Sequence, residues 1–362
     1  MERDREALFQ LLTTALTGNC CVSIPSGIDW SLLIHVAKAQ GVAAIALDGL
    51  QTLITNSGYE PRGLEKMAKL QWFAASQAIV RGHDRQFASA AELSKLWHED
   101  GVRTLLLKGF AFASYYPQPC HRPASDMDCY LCGKYEEGNK AVERLGIRVN
   151  REDYRHSTFQ FKDVFVENHK ICTTVRGLEQ RKRFEARLRS LLENEDTQFI
   201  GNSFLEKPCD RFNALYFLQH AHRHFLREGI TLRHVCDWAM IVDKAHCFDN
   251  AFWTECRDND LEPFAATMTR LAYKVCGVKA TWLQYDVKLE KHDIRLLEDC
   301  FCIEHNAVRY GNRWKAHLQM VGNMLSMRWK YKYFSNRSLF VELLSLVWSN
   351  WFERNPEIPK LN

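Results

Sequence analysis

Two aspartates, Asp126 and Asp128, stand two residues apart in the segment 126–131, whose composition predicts a β-strand. Side chains alternate between the two faces of a strand, so both carboxylates are expected on the same face. Two neighbouring carboxylates repel each other unless a cation lies between them. Mg²⁺ prefers hard oxygen ligands, usually one or two carboxylates together with substrate phosphates. The pair therefore predicts a site for a metal ion and a nucleotide.

Basic residues and a glycine turn precede this strand. Lys108 and Gly109 follow a short apolar run that predicts a buried strand, and Arg122 comes before the aspartates. Arginine can hold phosphate oxygens bidentately, and lysine supplies a point charge. Gly109 lets the backbone approach a phosphate closely. We expect these residues to bind the triphosphate, and we include Ser125, directly before Asp126, among the nucleotide-binding candidates.

A third carboxylate is expected on a neighbouring strand, and Glu167 in the predicted strand 164–169 is the best candidate. In two-metal sites the ions lie about 3.5–4 Å apart, one activating the attacking hydroxyl group and the other stabilising the leaving group. Glu167 would ligate the first ion or accept the proton of the hydroxyl group. The expected cofactor is therefore a pair of Mg²⁺ ions, with Mn²⁺ as an alternative.

The same residues also have a purely structural interpretation. Asp126 and Asp128 would then form a solvated strand face or pair with Arg122 and Lys108 in salt bridges. Glu167 would be an ordinary residue at the end of a surface strand.

The order Leu-Lys-Gly, Arg, Ser-Asp-Met-Asp and then Val-Glu-Asn-His over about 102–170 resembles the bacterial uncharacterised nucleotidyltransferase family of the DNA polymerase β-like superfamily. The segment Leu-Arg-His-Val-Cys-Asp-Trp at 232–238 is similar to the helical half of that family. The resemblance implies that Asp126, Asp128 and Glu167 are catalytic metal ligands. It also implies transfer of a nucleoside monophosphate from an NTP such as ATP to a hydroxyl acceptor, with release of pyrophosphate.

The sequence departs from the superfamily pattern at two positions. Phe110 stands where the Gly-Ser turn has serine, and the third carboxylate is Glu167 rather than an aspartate. The first departure favours an alternative function, an inactive nucleotide-binding or regulatory module with the same fold. A second alternative is a toxin-like transferase that modifies a protein or tRNA.

Three histidines are possible residues of the cleft: His169, His220 and His224. His220 and His224 are four residues apart on a predicted helix, a spacing also found in zinc sites, but no third ligand is evident. Such histidines more often pack or form hydrogen bonds. Arg233 and Asp237 have the same spacing and are predicted to pair with each other.

Periodicity predicts an α+β fold with a small sheet-containing core, and the resemblance implies that this core is a mixed-sheet nucleotidyltransferase core of the polymerase β-like type. Residues 1–100 form an N-terminal helical segment with one long helix over 64–100. Residues 101–175 form the core, and 176–362 form a C-terminal helical domain. Helices are expected almost to the end of the chain, including one over 339–352.

Composition excludes several classes of protein. Hydrophobic residues make up 46% and charged residues 25% of the 362 residues, which is typical of globular proteins and not of disordered or collagen-like chains. The net charge of +4 does not indicate a nucleic-acid partner, although it does not exclude one. The 13 cysteines, without a secretory signal, favour reduced thiols and a cytoplasmic location, and no membrane span is evident.

Overall fold

The computed structural model describes residues 2–123, 126–173, 179–282, 288–302 and 327–335, together with positions 322, 325, 338–341 and 344. The helix expected over 339–352 lies largely outside the described residues.

A six-stranded mixed sheet forms the centre of the described fold, which confirms the α+β class. Its strands are β1 (Thr104–Leu106), β2 (Asp126–Tyr130), β3 (His156–Phe161), β4 (Val164–His169), β5 (Gln198–Phe199) and β6 (Leu205–Lys207). They lie in the order β3-β4-β2-β1-β6-β5. The pairs β2–β4 and β1–β6 are parallel, and the other three pairs are antiparallel.

Helices surround the sheet. Those before it are α1 (Glu2–Thr17), α2 (Trp30–Ala39), α3 (Ala43–Ser57) and α4 (Lys66–Glu99), and those among its strands are α5 (Phe110–Ala113), α6 (Tyr135–Arg144) and α7 (Glu179–Asn194). Those after it are α8 (Asp210–Arg227), α9 (Leu232–Lys244), α10 (Asn250–Asp258), α11 (Glu262–Cys276), α12 (Lys291–Phe301) and α13 (Arg328–Phe334). No described helix combines the length and apolar character that crossing a membrane requires.

Alternation along the strands divides the sheet into two different faces. Met127 and Val166 point to one face, where they pack with Trp97 of α4 in an apolar core. Asp128 and Glu167 are opposite each other in the register of β2 and β4 and point to the other face. That second face is turned toward the larger core, to which Leu105, Leu107 and Tyr130 contribute together with helices α8 and α9.

The N-terminal helices pack against one another and against the C-terminal helices. Gly49 of α3 allows contact with α1 because a Cβ atom there would lie 1.9 Å from the carbonyl oxygen of Leu11. The Gln40 side chain, just after α2, donates to the carbonyl oxygen of Cys300 (2.8 Å) and accepts from the amide of Leu232 (2.9 Å). Gln40 therefore ties α2 to α9 and α12. The domain boundaries near residues 100 and 175 stay a prediction.

The pattern of apolar residues predicted most elements near the site, including the strand of Asp126 and Asp128 and the long helix α4. The region 176–362, expected to be helical, also contains the two strands β5 and β6. These strands are only two and three residues long, too short for periodicity to reveal. β6 forms against β1, a partner about a hundred residues earlier that local sequence does not disclose.

Candidate functional site

Three carboxylates converge where β2 lies beside β4. Asp126 and Asp128 occupy alternate positions of β2, and Glu167 lies opposite Asp128 in the parallel register. One carboxylate oxygen from each residue lies within 4.8 Å of the others. The convergence follows from the period of two along each strand and from the parallel pairing, which places the three acids on one face.

Lys108 lies between the two aspartates. Its Nζ atom is 3.2 Å from Oδ2 of Asp126 and 3.0 Å from Oδ2 of Asp128. Burial lowers the pKa of Lys108, but the negative charges of Asp128 and Asp126 outweigh burial, and the net shift is upward. The lysine therefore stays charged and offsets the repulsion between the carboxylates. This contact also corresponds to the ion pair with Lys108 in the structural interpretation of the sequence.

The donor set fits a hard divalent cation. Oδ2 of Asp128 is buried and lies 3.0 Å from the ammonium group of Lys108, so the three carboxylates have two cationic neighbours, Lys108 and His169. Oxygen ligands at about 2.1 Å from one Mg²⁺ lie up to about 4.2 Å apart, and the three acids bring their oxygens within 4.8 Å of one another. Asp126, Asp128 and Glu167 thus offer an oxygen-rich group that lacks full compensation.

His169, two residues after Glu167 on β4, supports the same carboxylates. Its Nε2 atom lies 3.1 Å from Oδ1 of Asp128 and 3.4 Å from Oε2 of Glu167, and Nδ1 lies 3.2 Å from the carbonyl oxygen of Ile171. Burial lowers the pKa of His169, but the hydrogen bonds to Asp128 and Glu167 outweigh burial and raise it to about 9. Both ring nitrogens then donate. The hydrogen bond from His169 lowers the pKa of Glu167 to about 2, so Glu167 stays ionised.

A second group of possible ligands overlaps the first. His156 of β3 faces His169 across the strand pair, and these two histidines with Glu167 also bring ligand atoms within 4.8 Å of one another. Sequence analysis missed His156, because its place beside the site depends on the pairing of β3 with β4. In the register of β3 and β4, His156 lies opposite His169 and two residue pairs from Glu167, so alternation places it on the same face of the sheet.

The turn between β1 and α5 needs a glycine. Gly109 has φ +65° and ψ −110°, and a Cβ atom there would lie 3.2 Å from the carbonyl oxygen of Asp126. The next residue, Phe110, is buried and packs edge-to-face on His83 and Phe87. Phe110 is therefore an apolar anchor of the turn that holds Lys108 beside the aspartates.

Arg122 has a different carboxylate partner from the one considered in the sequence. Its Nε and Nη2 atoms donate to the two oxygens of Asp237 at 2.7 and 2.9 Å, and the Tyr116 hydroxyl donates to the same carboxylate at 2.7 Å. Both members of the ion pair are buried. The expected pairing of Asp237 with Arg233 is thus replaced by one with Arg122. Arg233 Nη1 lies 3.4 Å from the carbonyl oxygen of Pro123.

An open cavity of about 400 Å³ adjoins the acids. Its walls come from the β1–α5 turn, from β2, from the residues after α2 and from helices α8 and α9. The lining includes Lys108, Gly109, Arg122, Asp126, His220, His224, Arg233 and His234. The nucleotide-binding candidates Lys108, Gly109 and Arg122 therefore meet at one cavity, whereas Ser125 lies outside the described residues. Asp128 and Glu167 lie beside Asp126, next to this lining.

His220 and His224 lie on one face of α8 with ring centroids 4.5 Å apart, and both line the cavity. His224 Nδ1 is 3.1 Å from Glu228 Oε2. Burial and then the charge of Lys108 keep the pKa of His220 well below its usual range. Within the described part of the chain, the groups able to hold a metal are the two on strands β2, β3 and β4, and neither includes His220 or His224.

Comparison with known proteins gives a family. The family model described as "Uncharacterised nucleotidyltransferase" matches residues 26–277, which include the three carboxylates, Lys108 and the helices that wall the cavity. No curated protein and no solved structure matches the chain. The match spans more than half of the chain and contains the whole described site. The protein therefore belongs to the uncharacterised nucleotidyltransferase family, whose general reaction is nucleotidyl transfer from an NTP.

Proposed function

We propose that this protein transfers a nucleoside monophosphate from a metal-bound NTP to a hydroxyl group of an acceptor and releases pyrophosphate. The observation that carries the proposal is the convergence of Asp126, Asp128 and Glu167 beside Lys108 at the edge of an open cavity. The cytoplasmic location expected from the sequence is part of the same proposal.

The three carboxylates would hold divalent cations, Mg²⁺ or Mn²⁺. Such ions, when bound, neutralise phosphate charge and activate a hydroxyl group. In the transfer the acceptor oxygen forms a bond to the α-phosphorus, and the bond from that phosphorus to the bridging oxygen breaks. Pyrophosphate takes the electron pair of the broken bond. The hydroxyl proton passes to Glu167 or to water.

Positive groups around the cavity would bind the triphosphate. Lys108 lies beside Asp126 and lines the cavity. Arg122 is already neutralised by Asp237. Arg233, in contrast, has no carboxylate within ion-pair distance among the described residues, and burial followed by the charge of Arg122 lowers its pKa. We therefore assign the stronger phosphate contact to Arg233 and a positioning role to Arg122.

The direct test is a panel of the four radiolabelled NTPs with Mg²⁺ or Mn²⁺, with and without cell extract as the source of acceptor. We expect pyrophosphate release and a labelled acceptor with the wild type and a loss of several orders of magnitude with Asp128→Asn. Retention of wild-type rates by Asp128→Asn would exclude the proposed role of this carboxylate.

A second candidate function is favoured by Lys108. Its ammonium group lies between Asp126 and Asp128, where it could replace a metal ion permanently in a nucleotide-binding module that performs no transfer. Phe110, which provides no hydroxyl group to a phosphate, agrees with this alternative.

Substitution of Lys108 by Gln separates the two candidates. If the protein is a transferase, we expect the Lys108→Gln variant without NTP to bind Mn²⁺ about ten-fold more tightly than the wild type, because a competing positive charge is removed. Its transfer reaction should be slower than that of the wild type. If the protein is instead a nucleotide-binding module, neither the wild type nor the variant would release pyrophosphate, and NTP binding would not depend on Mn²⁺. Calorimetry measures the affinities for Mn²⁺ and for each NTP, and the radiolabelled NTP panel measures pyrophosphate release.

A further inference from the structure

A second cavity lies on the other side of helix α8. It measures about 120 Å³ and is formed by α7, α8, α13 and the residues between α10 and α11. Three arginines line it, Arg181, Arg223 and Arg227, and Asp260 is its acidic residue. Asp260 Oδ2 accepts a hydrogen bond from the Ser335 hydroxyl at 2.7 Å. The cavity is therefore strongly basic.

Two of these arginines lack a carboxylate partner. Among the residues that the structure describes, no acidic side chain lies within ion-pair distance of Arg223 or Arg227, whereas Arg211, Arg187 and Arg189 on α7 and α8 all have one. Arg223 and Arg227 are also four residues apart on α8, and like charges at this spacing destabilise a helix. An anion bound between the two guanidinium groups would relieve this repulsion.

The environment of Arg223 is unusual for a guanidinium. Burial lowers the pKa of Arg223, and the positive charges of Arg155 and Arg227 act in the same direction. Arg155, which precedes β3, forms its own ion pair with Asp153 at 2.8 Å. The charge of Glu228 acts in the opposite direction but does not outweigh these effects, so Arg223 is a half-buried cation whose positive charge is not fully compensated.

The second cavity is close to the carboxylate site, because Thr173, which lines it, follows His169 by four residues, and because both cavities are lined by residues of α8. The pKa of the buried Tyr216 hydroxyl is raised by burial and then by the charge of Asp128, and the charge of Arg223 lowers it. Tyr216 is therefore within electrostatic reach of both groups. It precedes Arg223 by seven residues on α8, which corresponds to about 10 Å along a helix axis.

We propose that this cavity binds the phosphate group of the acceptor, and that the acceptor is a small phosphate monoester carrying a free hydroxyl group. The inference rests on the proposed nucleotidyl transfer. Guanidinium groups bind phosphate bidentately. Several positive charges also attract a doubly charged phosphate more strongly than a singly charged carboxylate. A cavity of about 120 Å³ has room for one phosphate group rather than for a nucleic-acid strand.

Glycerol 3-phosphate is the probe for the test, titrated calorimetrically into the full chain at low salt with EDTA present. We expect measurable binding to the wild type and a weakening of roughly ten-fold or more in Arg223→Gln and in Arg227→Gln, as for loss of a charge-assisted contact. Lys95→Gln, which removes an exposed charge from α4, serves as the matched control and should bind like the wild type. If Arg223→Gln does not fold, Arg227→Gln alone decides.

Several results would overturn the inference. One is an absence of binding to the wild type, and another is binding that Arg227→Gln retains but Lys108→Gln loses, which would place the phosphate in the cavity beside the acids. A third is a ten-nucleotide single-stranded RNA that binds more tightly than glycerol 3-phosphate and loses binding in the same arginine variants. Failure of the proposed transfer is distinguishable, because the wild type would then bind no NTP with Mg²⁺ while its phosphate binding could still depend on Arg227.

Discussion

Near the site, the charge of each basic residue is neutralised by a different set of partners. Lys108 contacts two carboxylates, whereas Arg122 shares one carboxylate, Asp237, with the hydroxyl of Tyr116. A buried pair such as Arg122–Asp237 is strongly destabilised when one partner is lost, because the other charge remains without compensation. Arg122 therefore fixes the segment that leads into β2.

We expect Asp237→Asn to lower the free energy of unfolding by about 3–5 kcal/mol, the usual cost of breaking a buried ion pair. Urea denaturation at neutral pH measures this change. The matched control is Glu262→Gln, which breaks an exposed ion pair with Arg257 and should leave the urea midpoint nearly unchanged.

Replacing both partners sharpens this prediction. The double variant Arg122→Met, Asp237→Leu should recover most of the lost stability, since apolar side chains need no compensating charge. Equal destabilisation by Asp237→Asn and Glu262→Gln would show that the buried pair has no special importance.

At the level of elements, the turn between β1 and α5 determines where Lys108 lies. Gly109 combines φ +65° with ψ −110°, a conformation that side chains disfavour, and it approaches the backbone of β2 closely. A displacement of the turn would therefore also disturb the position of β2.

We expect Gly109→Ala to lower the free energy of unfolding by about 1–3 kcal/mol and to weaken NTP binding, because the added Cβ displaces the turn that carries Lys108. Gly146→Ala is the control, since Gly146 also has positive φ (+79°) but open space around it. A control variant that loses as much stability and as much NTP affinity as Gly109→Ala would contradict the importance of the close approach.

The start of helix α9 depends on a neutral histidine. His234 Nδ1 accepts the amide hydrogen of Thr231 at 3.1 Å in a capping box. Burial and then the charge of Arg233 lower the pKa of His234 to about 3. The unfolded chain binds this proton near pH 6.5, so the contribution to stability is complete above about pH 6.5 and is lost as pH falls toward about pH 3.

The His234→Gln variant keeps an acceptor in the capping box but does not titrate. Between about pH 7.5 and about pH 5.5 we expect the wild type to lose about 1 kcal/mol more of its free energy of unfolding than this variant. Denaturant titrations at the two pH values measure the difference. Parallel losses in the two proteins would mean that His234 titrates normally.

At the scale of the whole molecule, the sequence predicted the acidic cluster well because it depends on local patterns. Asp126 and Asp128 share a strand face by simple alternation, and Glu167 follows the apolar start of the predicted strand 164–169. What remained unpredictable depends on contacts between distant segments. The pairing of Arg122 with Asp237 joins residues more than a hundred positions apart, and Gln40 brings the N-terminal helices to the cavity wall.

The short strands β5 and β6 and the cavity behind α8 escaped prediction for the same reason. β6 exists because β1 provides a parallel partner, and the basic cavity requires α7, α8 and α13 to meet. In the sequence, Arg223 and Arg227 cannot be distinguished from ordinary charged residues on the surface of a helix. That they lack a carboxylate partner among the described residues becomes visible only when the surrounding helices are in place.

The central claim is that Asp126, Asp128 and Glu167 collect divalent cations for an NTP. Its most direct test is Mn²⁺ binding, followed by electron paramagnetic resonance in the presence of each NTP. The matched control is Asp163→Asn, which removes an exposed carboxylate from the β3–β4 turn. We predict that Mn²⁺ binds to the wild type and to this control, and that Asp128→Asn weakens binding by about a hundred-fold. Equal Mn²⁺ binding by Asp128→Asn and the wild type, or none by the wild type, would contradict the claim.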